Sequence, residues 1–402
     1  MNEKRNYQDQ FIREIKTFFS KEADYSVSLF NKGRIALYAL LKSAEVHAGD
    51  EVIVPGFTCV VVPNAVLYTG AKPVYVDINP ETLLPAPDRV SEKVSSRTRV
   101  IISQNTFGIP QDTKSLMSTF NGTGIKIIED AAHGFGGNTK GVLNGTMADA
   151  AFFSLQWNKM FTAGIGGIAV SRSEEISRNL IDITSNIPLP SFIQEQSLAL
   201  QIQLRSAFLT PSNYNRILKL YRFLTLNGFL TGSNEGQEVT GTQVPDNYLM
   251  GMGTIQAREG IKGLRQVEEN VKHRQRIAAL YRVELSSLGF HLPYDEVGSG
   301  VTFLKYPVFV KDRKRINELT LQHGIEISDW FATPLYPVEG DLSPWGFARK
   351  ECPVSVSLSS HIINLPTHQK IDDRQVEKTI AFIRRYRTQF FSSPIECLQK
   401  RN

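Results

Sequence analysis

The sequence predicts an α/β fold, in which a largely parallel sheet covered by helices is followed by a smaller α+β domain. Three observations support this. Six short apolar runs, five of them rich in Val and Ile, recur between residues 51 and 170 without polar–apolar alternation, as in strands buried on both faces. Helical segments fall between several of them, and strand–helix alternation marks a parallel sheet. After about residue 289 the pattern changes to fewer strand-like runs mixed with helices. A chain of 402 residues also suits two or three domains at roughly 150 residues each.

The elements follow in order. Residues 8–22 read as an amphipathic helix, and a second helix starts near Gly33 and runs through Ala36 to Leu41. The strand runs are Glu51–Val54, Pro73–Val76, Arg99–Ile102, Ile125–Ile128, Ala150–Phe153 and Gly167–Val170, with a helix between Val60 and Tyr68. Residues 187–240 form a helical insertion, apolar and aromatic from Phe192 to Leu230, read as two helices broken at Pro211. Packing against the body or a partner subunit is its leading reading. A membrane-surface contact is the lesser one, since basic and aromatic residues interleave. One long helix is expected from about Thr254 to Leu288, with Ile261, Leu264, Val267 and Val271 at helical spacing. The tail contains a strand-like run, Phe303–Val310, and a helix, Asp373–Tyr386. The expected division is a large domain over 1–270 and a small one over 271–402.

Composition excludes several classes. Hydrophobic content of 41% and charged content of 21% fit an ordinary globular enzyme, and a net charge of +5 without a basic stripe argues against nucleic-acid binding. Cys59, Cys352 and Cys397 are far apart and make no metal-ligand spacing, so no metal site is expected. They fit a reducing cytosol. The first residues carry no apolar signal core, and no apolar run approaches the ~20 residues that span a bilayer, so a cytoplasmic location is expected.

The chemistry lies in two segments. Glu129-Asp130-Ala131-Ala132-His133 follows one strand run, and Ser154-Leu155-Gln156-Trp157-Asn158-Lys159 follows another, ahead of Gly164-Ile165-Gly166-Gly167. In open parallel sheets functional residues gather at the carboxyl ends of strands. An acid at such an end and a lysine on a later loop are the two groups that hold pyridoxal phosphate (PLP). The lysine condenses with its aldehyde, and the acid keeps the pyridine nitrogen protonated. The cofactor's phosphate needs a helix N-terminus, and Gly33 opens one.

These segments, with Gly33-Arg34-Ile35-Ala36-Leu37, Val54-Pro55-Gly56-Phe57-Thr58, Gly70 to Asp77, Gly108-Ile109-Pro110 and Asn364-Leu365-Pro366-Thr367-His368, come in a recognisable order. The chain resembles the DegT/DnrJ/EryC1/StrS family of PLP-dependent sugar aminotransferases, over nearly its whole length. The resemblance implies the fold-type-I architecture, with a mostly parallel seven-stranded sheet, and a homodimer with sites at the subunit boundary. It implies Lys159 as the catalytic lysine, Asp130 as partner of the pyridine nitrogen, His133 at the ring's phenolic oxygen, and Gln156 in the cofactor site. Gly33, Arg34 and Ser154 would hold the phosphate. Asn247 would reach the phosphate of the neighbouring subunit, although it stands two residues earlier than the family's Asn. The implied substrates are a nucleotide-linked keto-sugar and an amino-acid donor, L-glutamate, in polysaccharide or glycan biosynthesis. Lys32-Gly33-Arg34 replaces the family's Ser-Gly-Thr, Cys59 stands where an aromatic residue covers the ring, and Ile165 stands where Glu is common. These departures leave open a non-sugar or carrier-bound ketone as acceptor, or a non-catalytic scaffold.

Overall fold

The computed structural model describes residues 3–19, 25–208, 241–292, 294 and 300–399. Its strands are β1 Ser26–Phe30, β2 Glu51–Pro55, β3 Thr58–Cys59, β4 Lys72–Val76, β5 Thr98–Gln104, β6 Lys126–Asp130, β7 Asn138–Thr139, β8 Val142–Leu143, β9 Ala150–Ser154, β10 Gly167–Ser171, β11 Tyr306–Phe309, β12 Leu335–Tyr336 and β13 Ile362–Leu365. Seven of them form one sheet in the order β1-β10-β9-β6-β5-β2-β4. The pairs from β9 to β4 are parallel, whereas β10 runs antiparallel to both of its neighbours. All six sequence-predicted runs lie in this sheet. Its seventh member, β1, escaped the reading because Ser-Val-Ser-Leu-Phe is short and mixes polar with apolar residues.

Helix α1 (Glu3–Phe19) buries Phe11, Ile15 and Phe19, four residues apart along one face. It begins earlier than the expected residue 8, and residues 20–24 lie outside the described residues. Helix α2 (Gly33–Ser43) is buried over most of its length, and α3 (Val61–Leu67) matches expectation.

The expected long helix is two, Thr254–Leu264 and Val267–Ser287. The Gln266 amide reaches back only three residues, to the Gly263 carbonyl (3.1 Å), and this tight step ends the first helix. The apolar spacing continues across the break, since Ile261, Leu264, Val267 and Val271 are all buried, so the sequence reads as one helix. In the insertion, one helix spans Phe192–Phe208. The second expected helix and Pro211 fall on residues 209–240, outside the described residues. Among the described residues, no helix is long and apolar enough to cross a membrane.

In the C-terminal part β11 pairs antiparallel with β13, and the expected Phe303–Val310 strand shortens to Tyr306–Phe309. Phe303 sits at φ 47°, which no strand accommodates. The helix predicted to end at Tyr386 ends at Arg385, opened by a capping box between Asp372 and Gln375. The C-terminal part joins the sheet at several contacts, among them the Tyr75 hydroxyl of β4 donating to the Trp345 carbonyl (2.8 Å). β12 lies parallel to β3, with Thr58 N–H donating to the Pro334 carbonyl (2.9 Å) and Val60 N–H to the Tyr336 carbonyl (2.8 Å). Asp77, just past β4, accepts from the Val354 and Ser355 amides (both 2.8 Å) at the start of helix Pro353–His361.

Candidate active site

The site lies at the carboxyl edge of the parallel strands. β6 ends there at Asp130 and β9 at Ser154, while β10 begins there, its Gly167 paired with both Ser154 and Phe30 of β1. Two glycines let α2 start against this edge. A Cβ on Gly33 would lie 2.8 Å from the Cβ of Ser154, and one on Gly167 would lie 2.3 Å from the Lys32 carbonyl oxygen. The first amides of the helix and the Ser154 hydroxyl therefore form one cup, suited to an anion. Arg34, at the second helical position, is buried beside it. Gln256 fixes the surrounding loops by donating to the carbonyls of Asn31 (3.1 Å) and Ile165 (2.8 Å).

Asp130 is buried and accepts the Ala132 amide (3.1 Å). Burial raises its carboxyl to about 6, against the pull of that amide and of Lys159. Lys159 sits on a closed loop. Leu155 N–H donates to the Gly166 carbonyl (2.9 Å), and Lys159 N–H donates to the carbonyl of the half-buried Gln156 (2.9 Å). Asn270 anchors the next residue by donating to the Met160 carbonyl (3.0 Å). Burial pushes the Lys159 ammonium down to about 8, despite the opposing charge of Asp130. The half-buried Cys59 has its thiol raised by burial and feels the charges of Arg34, Lys159 and Asp130, which places all four in one neighbourhood.

His133 completes the group. Its Nδ1 accepts the Phe107 amide (3.2 Å), which leaves the proton of the neutral ring on Nε2. Burial, with the positive charges of Lys159 and Lys305, holds its pKa well below the usual value, so the ring is neutral. It stacks on Trp330 (5.0 Å between centroids, 17° between planes) and Phe331 (5.6 Å, 18°).

Trp330, Phe331 and Lys305 were not found from the sequence. The Lys159 Nζ lies 4.6 Å from the centre of the Trp330 ring, and the Lys305 Nζ lies 5.7 Å from it. The Asn364-Leu365-Pro366-Thr367-His368 run, singled out in the sequence without a role, holds these residues in place. Asn364 exchanges backbone hydrogen bonds with Ser328 (2.8 and 3.0 Å), and its side chain donates to the Trp330 carbonyl. Thr367 donates to the Phe303 carbonyl (2.7 Å), and His368 bonds Glu326 (2.8 Å). Buried Arg274 donates to both the Leu304 carbonyl (3.0 Å) and the Thr367 hydroxyl (2.9 Å). Asn247 lies apart: it is exposed, at φ 54°, beside a Tyr248 that packs edge-on against Tyr38 and Tyr68.

A half-buried lysine, a buried carboxylate at a strand end and an anion cup formed by glycines fit PLP, an aldehyde that carries a phosphate and a basic ring nitrogen. The DegT/DnrJ/EryC1/StrS aminotransferase family matches residues 3–187 and 212–384. The chain belongs to this family. As a family member it is a PLP-dependent aminotransferase of the fold-type-I architecture. GDP-perosamine synthase of Vibrio cholerae is 26% identical over 382 residues, 94% of this chain and 90% of that protein. L-glutamine:2-deoxy-scyllo-inosose aminotransferase of Streptomyces fradiae is 34% identical over 148 residues, 37% of this chain and 35% of that protein. In fold, the chain matches the crystal structure of the aminotransferase TlmJ from Streptoalloteichus hindustanus with a TM-score of 0.71 and 21% identity, covering 96% of this chain and 91% of that one.

Proposed function

We propose that this aminotransferase moves an amino group from L-glutamate to a nucleotide-linked keto-sugar, in the cytoplasm, for a polysaccharide or glycan. The observation that carries the site assignment is the convergence of Lys159, Asp130 and the α2–Ser154 cup at one sheet edge. The acceptor class is supported by the full-length match to a relative named for a GDP-linked product.

Bound PLP supplies an electron sink for the carbon that gives up or takes on the amine. The chain's residues do the rest. Lys159 would hold the cofactor at its aldehyde and, as a free amine, would move the proton at the substrate carbon that bears the nitrogen. The Asp130 carboxylate keeps the ring nitrogen protonated through a charge-assisted hydrogen bond. The first amides of α2, Ser154 and Arg34 hold the phosphate. Neutral His133 offers its Nε2–H to the ring's phenolic oxygen, with Gln156 and Cys59 in the same pocket. We assign Asn247 to the phosphate of a partner subunit in a homodimer. A monomer with full activity in sedimentation measurements would refute that assignment.

A second reading keeps the cofactor and changes the substrates. It is favoured by the Streptomyces fradiae relative, named for an L-glutamine donor and an acceptor without a nucleotide, and by Arg34 and Cys59 at positions where the family pattern differs. The visible spectrum of the PLP-loaded protein, before and after L-glutamate or L-glutamine, decides the donor. Conversion of the cofactor by one amino acid alone names it. Subsequent amination of a GDP- or UDP-linked keto-sugar supports the first reading, and failure with every nucleotide sugar supports the second.

A further inference from the structure

Lys305 is a second lysine of this pocket, and the roles above leave it unused. It is 8% exposed, next to β11, on a segment that cannot shift easily. Thr302 donates from its hydroxyl to the His133 carbonyl (2.9 Å) and from its amide to the Gly108 carbonyl (3.2 Å). Thr367 and Arg274 pin the carbonyls of Phe303 and Leu304. The Lys305 ammonium addresses the same indole ring as that of Lys159.

Among the described residues, this ammonium has no hydrogen bond and no carboxylate within ion-pair distance; the Trp330 face is its one close polar contact. The two acids nearest in charge are engaged elsewhere. Glu326 bonds His368 (2.8 Å), and Asp329 accepts from the Tyr336 hydroxyl (3.1 Å). A buried cation without a direct counter-ion is costly, and an anion entering the pocket would offset that cost. Burial accordingly pushes the Lys305 ammonium down to about 8.

We propose that Lys305 receives the carboxylate of the amino donor, next to the carbon whose amine reacts at Lys159. The proposal rests on the aminotransferase reading. Geometry selects this anion over the phosphates of a nucleotide sugar. An amino acid carries its carboxylate on the carbon that bears the reacting nitrogen, so a cation beside the same indole ring as Lys159 is placed to meet it. The nucleotide phosphates are separated from the reacting carbon by the sugar ring. Trp330 then divides the two lysines between two tasks, one at the amine and one at the carboxylate.

The test uses the full chain loaded with PLP. Glutarate, a dicarboxylate without an amine, is titrated by calorimetry, and GDP and UDP are titrated separately. In Lys305→Met, glutarate binds at least about tenfold more weakly, as expected for loss of a hydrogen bond to a charged group. Nucleotide affinity and the visible cofactor band stay as in the wild type, and Lys305→Arg recovers much of the glutarate affinity. Equal glutarate affinity in Lys305→Met overturns the proposal, as does a wild type that binds no glutarate. Weakened GDP or UDP with unchanged glutarate overturns it in favour of a phosphate contact. Loss of the cofactor band in both variants overturns it in favour of a structural role. A wild type that takes up no PLP instead removes the aminotransferase reading beneath it.

Discussion

At the scale of single residues, the pocket works by withdrawing charged groups from water. Lys159 titrates near 8 where an ordinary lysine titrates at 10.5, and only its neutral amine attacks an aldehyde. PLP uptake by the apoprotein should therefore accelerate as pH rises through about 8 and level off above it, followed by growth of the visible band. A profile still rising towards 10.5 would contradict the shift. Asp130 is raised by burial but remains ionised at neutral pH, as its proposed pairing with a protonated ring nitrogen requires. Asp130→Ala should lower turnover by at least about a hundredfold, since it removes a preorganised charge from a dry site, while the lysine-linked band still forms. Retained turnover would exclude the ring-nitrogen role. Asp130, Ser154 and Lys159 were legible in the sequence because each follows a recognisable strand. Trp330 and Lys305 were not, because each lies on an irregular segment placed by partners distant in sequence, Asn364, Thr367 and Arg274.

At the scale of elements, the same contrast separates what was read correctly from what was not. Strands of the sheet interior announce themselves as apolar runs, rich in Val and Ile in β2, β5, β6 and β10 and in Ala and Phe in β9. β1 does not, and the helix break at Gln266 leaves the apolar spacing intact. The reversed strand β10 matters most for the site, because it brings Gly167 under the start of α2. Gly167→Ala would drive a Cβ into the Lys32 carbonyl, a backbone atom that cannot swing away. We expect a stability loss of roughly 1–3 kcal/mol, read by urea denaturation, together with weaker PLP binding. An unchanged cofactor affinity would show that the cup tolerates displacement of α2. Asn364→Ala removes the side-chain bonds to the Ser328 and Trp330 carbonyls, so about 1–3 kcal/mol should be lost from the same transition. Activity should fall more than cofactor binding, because the loop that carries Trp330 loosens while Asp130 and the α2 cup stay in place.

At the scale of the whole molecule, the pocket is assembled from both ends of the chain. The parallel sheet carries Asp130, Ser154 and the lysine loop, and the C-terminal part adds Trp330 and Lys305 through β12 and the Asp77 contact. A single apolar cluster confirms this union, since Phe57, Leu83 and Phe107 pack with Tyr281, Phe309 and Ile363. The pairing of β3 with β12 has a consequence for the order in which the protein matures. Contacts between residues far apart in sequence bear the largest loop-closure entropy and form late. The wall carrying Cys59 can be completed only after nearly the whole chain has been made and both of its parts have condensed. On refolding from denaturant, helical circular dichroism should return before the capacity to capture PLP, and a chain stopped short of β12 should regain much of its sheet while remaining unable to hold the cofactor firmly. Cofactor capture would then report that the last seam has closed.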